Sequence, residues 1–132
     1  ASKSRGLGDV YKRQLLRKLG NPEKSIPPVI HVAGTNGKGS TIAMIKSGLQ
    51  RSGFKTHTYT SPHLVSFNER IEIGDKRISE DALKEVLNEC EEVNNSQPIT
   101  FFEITTCAAF LAFSRLLVVC SIFRSRQYAI EA

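Results

Sequence analysis

The stretch from Val29 to Thr41, VIHVAGTNGKGST, constrains the fold of this chain more than any other part of its sequence. The apolar run from Val29 to Ala33 follows two prolines and precedes a glycine, which predicts a short, buried parallel strand. A glycine held in one conformation costs roughly 0.5–1 kcal/mol relative to alanine. A binding role would explain that cost at three closely spaced positions: Gly34, Gly37 and Gly39.

A helix and a second strand are predicted directly after this glycine loop. From Ser40 onward, apolar residues recur at helical spacing, and Gly53 stands where a helix C-terminus favours glycine. A second strand, KTHTYTS, begins at Lys55. Strand, loop, helix and strand fit the size of a βαβ unit, with the glycine loop at the carboxyl end of the first strand.

This context is the one that a phosphate-binding loop requires. Backbone N–H groups at a helix N-terminus lack partners and carry partial positive charge, so glycines that let them converge form a cradle for phosphate oxygens. Lys38 would reach the outer phosphates, and Ser40 or Thr41 would offer a hydroxyl to a phosphate or its magnesium ion. The alternative is a tight turn that needs glycine only for its geometry, with Lys38 solvated.

The loop departs from the common pattern G-x-x-x-x-G-K-[ST] at two positions. Val32 occupies the first glycine position, and Gly39 stands where the hydroxyl would directly follow Lys38. GTNGKGST as it stands resembles the nucleotide loop of the Mur ligase superfamily. The preceding LGNPE and VIHVA are similar to its folylpolyglutamate synthase and dihydrofolate synthase branch.

The resemblance implies a role for each residue of the loop. Lys38 is the expected catalytic residue. The expected nucleotide-binding residues are Gly34, Thr35, Asn36, Gly37, Lys38, Gly39, Ser40 and Thr41.

A second segment, TSPHLVSFNERIEI from Thr60 to Ile73, is similar to the family loop that borders both magnesium and folate. The resemblance implies that Ser61 is a magnesium ligand, which suits a hydroxyl because magnesium prefers hard oxygen ligands. From spacing alone, Ser61 and Pro62 read as turn residues and His63 as a surface histidine.

A third segment, TFFE from Thr100 to Glu103, supports two interpretations. Its spacing is that of a capping box, in which Thr100 and Glu103 exchange hydrogen bonds at a helix N-terminus while Phe101 and Phe102 enter the core. The resemblance implies instead that the segment lines the pterin pocket, where aromatic rings contact a heterocycle. Capping and pocket lining are compatible. The expected substrate-site residues are therefore Thr100, Phe101, Phe102 and Glu103.

The segment between these two motifs reads as structural. RIEIGDKRIS predicts a short hairpin with a Gly-Asp turn, and Ser79 can cap a helix that follows it. The helix carries one apolar stripe: Leu83, Val86, Leu87, Cys90 and Val93.

The two ends of the chain differ from the rest in charge and pattern. Residues 1–18 carry a formal charge of +5 and residues 115–132 a charge of +2, while residues 19–114 carry −2. We therefore expect a non-native leader at 1–14, a partial ATP-binding domain at 15–115 and a non-native or frame-changed tail at 116–132. Because the basic residues concentrate in these ends, the sequence does not favour a nucleic-acid partner.

The cysteines and the lack of a signal-peptide pattern at the start of the sequence favour a reducing, cytosolic compartment. Cys90, Cys107 and Cys120 are an odd number without CxxC spacing, so neither a disulfide framework nor a zinc site is indicated. The apolar run LLVVCSIF is too short to cross a bilayer. We expect a cytoplasmic protein without a membrane partner.

Together these features predict an α/β fold, an incomplete P-loop-type parallel sheet with flanking helices. The resemblance implies an ATP-dependent ligase that uses ATP and Mg²⁺ to add glutamate to folate or dihydropteroate through an acyl phosphate, monomeric when complete. Two other interpretations stay open: a Mur ligase acting on a cell-wall precursor, and a non-catalytic nucleotide-binding module.

The resemblance also implies residues that this sequence is not expected to supply. In the family, a strand after the FFE helix ends in a glutamate that binds magnesium, and a later histidine binds it too; LLVVCSIFRSRQ stands in that place here. The isolated chain is therefore expected not to ligate glutamate, and to expose a sheet edge.

Overall fold

The computed structural model describes residues 2–60, 65–120 and 127–131. Helices and strands alternate from residue 2 to residue 59, and a hairpin, two helices and a final strand come later in the chain. The helices are α1 (Ser2–Lys18), α2 (Lys38–Arg51), α3 (Glu80–Asn94) and α4 (Phe101–Cys120). The strands are β1 (Val29–His31), β2 (Lys55–Tyr59), β3 (Ile71–Ile73), β4 (Lys76–Arg77) and β5 (Gln127–Glu131).

The described strands form one mixed sheet in the order β1-β5-β2-β3-β4. Strands β1, β5 and β2 run parallel, and β3 and β4 add an antiparallel hairpin. The register places His31, Glu131 and Tyr59 side by side at the carboxyl ends of the three parallel strands. The predicted α/β fold with a parallel sheet and flanking helices is confirmed.

Strand β1 corrects one prediction. It is parallel, as expected, but it is not buried: Val29 is 45% exposed and His31 is also exposed. Among the described strands β1 has a neighbour on one side only, so it forms an edge of the sheet. The apolar run indicated a strand correctly, but it could not indicate which strands would flank it.

The tail also differs from expectation. The sequence predicts no strand after Arg115, yet β5 lies between β1 and β2 and pairs with both. The expectation that no strand ending in a glutamate follows the FFE helix is therefore wrong, because β5 ends at Glu131.

The proposed boundary at residue 14 falls inside α1, whose Leu15 and Leu16 are buried. The leader and tail assignments stay predictions.

Helices α3 and α4 provide most of the core against one face of the sheet. The predicted stripe of α3 is confirmed, with Leu83, Val86 and Cys90 buried and Leu87 and Val93 packed against them. The Ser79 side chain caps α3 by accepting a hydrogen bond from the Ala82 N–H at 3.1 Å. Burial raises the pKa of the Cys90 and Cys107 thiols to about 12, so both remain protonated.

None of the helices in the described part of the chain combines the length and the apolar character that a membrane span needs.

Candidate functional site: a glycine loop and an aromatic segment at one sheet edge

The glycine loop joins β1 to α2, as predicted, but the helix begins earlier than its apolar spacing indicated. Gly37 is the N-cap, with φ of 75°, and Lys38 is the first helical residue. A left-handed N-cap favours glycine because a Cβ atom is strained there. Lys38, Gly39 and Ser40 therefore open the first turn of α2, where backbone N–H groups lack helical acceptors.

The surroundings of this helix end suit an anion. The loop is exposed from Ala33 to Gly37, and Lys38 is half-buried. The first turn of α2 contains no acidic residue of its own. The positive end of the helix dipole and the Lys38 ammonium group thus favour a negatively charged ligand at the same place.

The two candidate hydroxyls differ in their hydrogen bonds. The Thr41 Oγ1 donates to the Gly37 carbonyl oxygen at 2.8 Å, and the Thr41 N–H donates to the same oxygen at 3.0 Å. The Thr41 hydroxyl is thus bound to the helix itself and retains its lone pairs as acceptors. The exposed Ser40 is the hydroxyl better placed to donate to a ligand.

The TFFE segment forms the predicted capping box. The Thr100 N–H donates to Glu103 Oε2 at 2.9 Å, and the Glu103 N–H donates to Thr100 Oγ1 at 3.2 Å. Phe101 is 65% exposed and Phe102 is 54% exposed, so the interpretation of both rings as core residues is wrong. Pocket lining by this segment stays a prediction.

Aromatic contacts connect this segment to the sheet and to Phe67, which lies in the second motif from Thr60 to Ile73. The Phe102 ring lies 6.5 Å from the Tyr59 ring at the end of β2, and the Phe101 ring meets the Phe67 ring edge-on at 5.4 Å. The Arg70 guanidinium lies 4.9 Å from the centre of the Phe67 ring. A cleft of about 390 Å³ beside Phe101 is lined by Glu91, Asn94, Ser96, Ile99, Phe101 and Ile104.

The glycine loop and the TFFE segment both lie at the carboxyl-terminal ends of the parallel strands. The glycine loop follows His31 at the end of β1, and Phe102 lies against Tyr59 at the end of β2. In the sheet, His31 and Tyr59 lie on either side of Glu131 of β5. Neighbouring strands are about 4.8 Å apart, so the two strand ends lie about 10 Å apart. Ligands of open α/β sheets bind outside the carboxyl ends of the strands, which is the edge described here.

The predicted metal ligand cannot be placed in the same way. Ser61 lies outside the described residues, as does His63. No group of three or more His, Cys, Asp or Glu side chains in the described ranges is arranged to hold a metal ion. At the backbone level, β5 adds a residue that sequence analysis missed, because its register places Glu131 beside His31 at the loop. The signal is the β-prone QYAIE, which lies within the segment interpreted as a tail.

The Gly-Asp turn between β3 and β4 makes polar contacts with α2 and β2. Asp75 Oδ1 accepts hydrogen bonds from Gln50 Nε2 at 2.7 Å and from Thr56 Oγ1 at 2.8 Å. Burial raises the pKa of Asp75, but the hydrogen bonds from Thr56 and Gln50 and the charge of Lys46 lower it further than burial raises it. The net effect holds the pKa of Asp75 below its ordinary value.

This shift predicts a pH dependence of stability. A carboxyl group whose pKa is lower in the folded chain adds stability above its ordinary pKa and loses it as pH falls through the folded value. We therefore expect Asp75→Asn to lower the free energy of unfolding more at pH 7 than at pH 3. Urea unfolding of both proteins at the two pH values measures the difference. An equal loss at both would show that the ionised carboxylate adds no stability.

A second prediction concerns the capping box. Thr100→Ala removes the acceptor for the Glu103 N–H and should lower the free energy of unfolding by about 1 kcal/mol. Ser47→Ala, on the exposed surface of α2, is the matched control and should change it by less than about 0.5 kcal/mol. Thermal or urea unfolding compares the two variants. Equal effects would mean that the box contributes no stability.

Comparison with known proteins connects this site to one family. No family model matches the chain. The chain is 44% identical over 116 residues to the dihydrofolate synthase/folylpolyglutamate synthase of Bacillus subtilis, covering 83% of this chain and 26% of that protein. It thus spans about a quarter of the length of this curated relative.

Solved structures give the same result. Escherichia coli FolC in complex with DHPP and ADP matches with a TM-score of 0.78 and 30% identity, over 92% of this chain and 27% of that one. The bifunctional folylpolyglutamate synthase/dihydrofolate synthase from Yersinia pestis, complexed with AMPPNP and Mn, matches with a TM-score of 0.80 and 27% identity, over 94% and 28%. Over the segment that it spans, the chain belongs to the folylpolyglutamate synthase/dihydrofolate synthase family.

Proposed function

We propose that this chain supplies the ATP-binding part of a ligase that joins glutamate to folate or dihydropteroate through an acyl phosphate. The observation that carries the proposal is the glycine loop between β1 and α2. The loop has a glycine at the N-cap of α2 and Lys38 at its first position, and the first turn carries no acidic residue. These features favour anion binding at the helix N-terminus. The relatives named above provide the substrate class.

In this proposal, residues from Gly34 to Thr41 hold the phosphates of ATP. The N–H groups of the first turn of α2 bind phosphate oxygens, and the Lys38 ammonium group lies against the phosphate that is transferred. Charge that develops on a phosphoryl group during transfer is stabilised by such fixed positive groups. Lys38 is therefore the residue on which transfer depends most.

Divalent metal binding is the second part of the proposal. The hydroxyls of Ser61 and of Ser40 would hold Mg²⁺ beside the phosphates, and the ion would neutralise part of their charge. Hydroxyl oxygens suit this role because magnesium prefers hard oxygen ligands and usually keeps water and phosphate among them. A related structure was solved with AMPPNP and Mn.

The aromatic segment is the proposed folate side of the site. Exposed Phe101 and Phe102 offer flat apolar surface to a pterin ring, and Thr100 and Glu103 fix the start of α4 beneath them. Exposing apolar surface to water is unfavourable in free energy, so a ligand that covers these rings gains affinity. The Phe102 ring lies 6.5 Å from the Tyr59 ring at the carboxyl end of β2, which supports a folate site close to the glycine loop.

The remaining parts of the proposal concern nucleic acid, compartment, oligomeric state and small-molecule partners. Residues 19–114 carry a net charge of −2, which gives no electrostatic footprint for nucleic acid. The proposal includes a cytoplasmic, monomeric enzyme with ATP, a folate or dihydropteroate, and glutamate as its small-molecule partners. The 132 residues alone are expected not to ligate glutamate.

A chimaera tests the ligase assignment. Residues 15–115 would replace the matching segment of the Bacillus subtilis relative, and the purified chimaera would be assayed for ATP-dependent incorporation of labelled glutamate into dihydropteroate or tetrahydrofolate. We expect incorporation, and we expect its loss when the chimaera carries Lys38→Ala. A chimaera that folds and binds ATP but incorporates no glutamate would contradict the proposed function.

A further inference from the structure

Helix α2 carries the nucleotide loop at its N-terminus, yet few apolar contacts hold it to the sheet. Ile42 is its one buried residue, and Ile45 and Leu49 are half-buried. The same inward face carries two polar residues, Lys46 and Gln50, at positions where a packed helix normally places apolar side chains.

Both polar residues contact the β3–β4 hairpin. The Lys46 ammonium group pairs with the Glu72 carboxylate on β3. Gln50 Nε2 donates to Asp75 Oδ1 at 2.7 Å and lies 3.2 Å from Thr56 Oγ1. We call these five residues, Lys46, Gln50, Thr56, Glu72 and Asp75, the hairpin brace.

The hairpin end of the brace is itself fixed to the sheet. The Asp75 N–H donates to the Thr56 carbonyl oxygen at 3.1 Å, and the Gly74 N–H donates to Nδ1 of the buried His57 at 2.9 Å. Gly74 and Asp75 both have positive φ, of 57° and 75°, as a two-residue hairpin turn requires. The turn is thus a rigid support rather than a free loop.

The brace contacts the C-terminal half of α2, while the anion site lies at the other end. Gln50 follows Lys38 by twelve residues, a separation of about 18 Å at 1.5 Å per residue. Because a helix moves as a rigid rod, tilting the braced end displaces the first-turn N–H groups. Displacements of about 1 Å can cost about a hundredfold in a positioned reaction.

We propose that Asp75 is a positioning residue for the nucleotide site, acting through Gln50 and α2. The hydrogen bonds of its side chain go to Gln50 and Thr56, at the end of α2 opposite the glycine loop, so its effect on nucleotide binding would pass through the orientation of the helix. The inference rests on the proposed function, because it assigns a purpose to the placement of an ATP-binding helix.

The test compares Asp75→Ala with Asp75→Asn and with the matched control Asp81→Asn, on the exposed start of α3. The full chain is titrated with AMPPNP and Mg²⁺ well below the thermal transition of every variant. We expect Asp75→Ala to raise the dissociation constant about fivefold or more. An asparagine retains an acceptor oxygen and tolerates positive φ, so Asp75→Asn should restore at least half of the lost affinity on a logarithmic scale. Asp81→Asn should match the unchanged chain.

Hydrogen exchange without nucleotide separates failure of this inference from failure of the proposed function. The amides from Thr41 to Ile45 should exchange at least threefold faster in Asp75→Ala than in Asp81→Asn. If these amides exchange faster in Asp75→Ala but the unchanged chain binds no AMPPNP, the positioning role of Asp75 is supported and the proposed function fails. If exchange and affinity are both unchanged in Asp75→Ala while its melting temperature falls, Asp75 is merely structural and the inference is overturned.

Discussion

Replacing Lys38 with alanine is expected to weaken nucleotide binding by roughly 10- to 100-fold without unfolding the chain. A hydrogen bond to a charged group contributes about 1.5–3 kcal/mol, and each 1.4 kcal/mol is a tenfold change in the dissociation constant. Lys38 is half-buried and begins α2, so its truncation should change the free energy of unfolding by less than about 1 kcal/mol. Calorimetric titration with AMPPNP and Mg²⁺ measures the affinity.

The control for this prediction is Lys84→Ala, which removes the same charge from the exposed surface of α3. The dissociation constant of Lys84→Ala for AMPPNP should equal that of the unchanged chain. If the two variants bind nucleotide equally well, Lys38 is a solvated loop lysine, and the glycines serve only the geometry of the turn.

Replacing Phe113 with alanine is expected to have the largest effect on stability among the aromatic residues considered. Phe113 is 2% exposed and stacks on His57 with ring centres 5.4 Å apart. Truncating a buried phenylalanine costs about 3–5 kcal/mol, through lost apolar burial and the cavity left behind. Urea unfolding measures the loss, and a loss below about 1 kcal/mol would mean that α4 does not pack on the sheet as described.

Phe101→Ala is the informative comparison on the same helix. Its ring is mostly exposed and makes one edge-on contact with Phe67, so the free energy of unfolding should fall by no more than about 1.5 kcal/mol. In the chimaera, the same change should raise the Michaelis constant for the folate substrate more than that for ATP. Equal increases for both substrates would contradict a pterin-lining role.

Local patterns predicted the elements of this fold where one short segment determines them. The spacing of Thr100 and Glu103 predicted a capping box, and the hydrogen bonds confirm it. Gly53 closes α2 as expected: its N–H donates to the Gln50 carbonyl oxygen, and the Phe54 N–H donates to that of Leu49. Each of these depends on backbone and side-chain groups within six residues of one another, so a short stretch of sequence contains the necessary information.

Properties that depend on distant segments were not predictable in the same way. The exposure of Val29 depends on which strands flank β1, and the position of β5 depends on pairing across more than seventy residues. The exposure of Phe101 and Phe102 likewise depends on how α4 lies against the sheet. For the site, the sequence predicted the loop and its lysine, but not the contacts of Asp75 with α2.

The central claim is that the loop from Gly34 to Thr41 is a nucleotide site. Its most direct test is an NMR titration of the ¹⁵N-labelled chain with AMPPNP and Mg²⁺, following the backbone amides. The largest shifts are expected at the amides from Gly34 to Thr41, and these shifts should be lost in Lys38→Ala. Saturable binding that shifts amides elsewhere while leaving these unchanged, or no binding at millimolar AMPPNP, would contradict it.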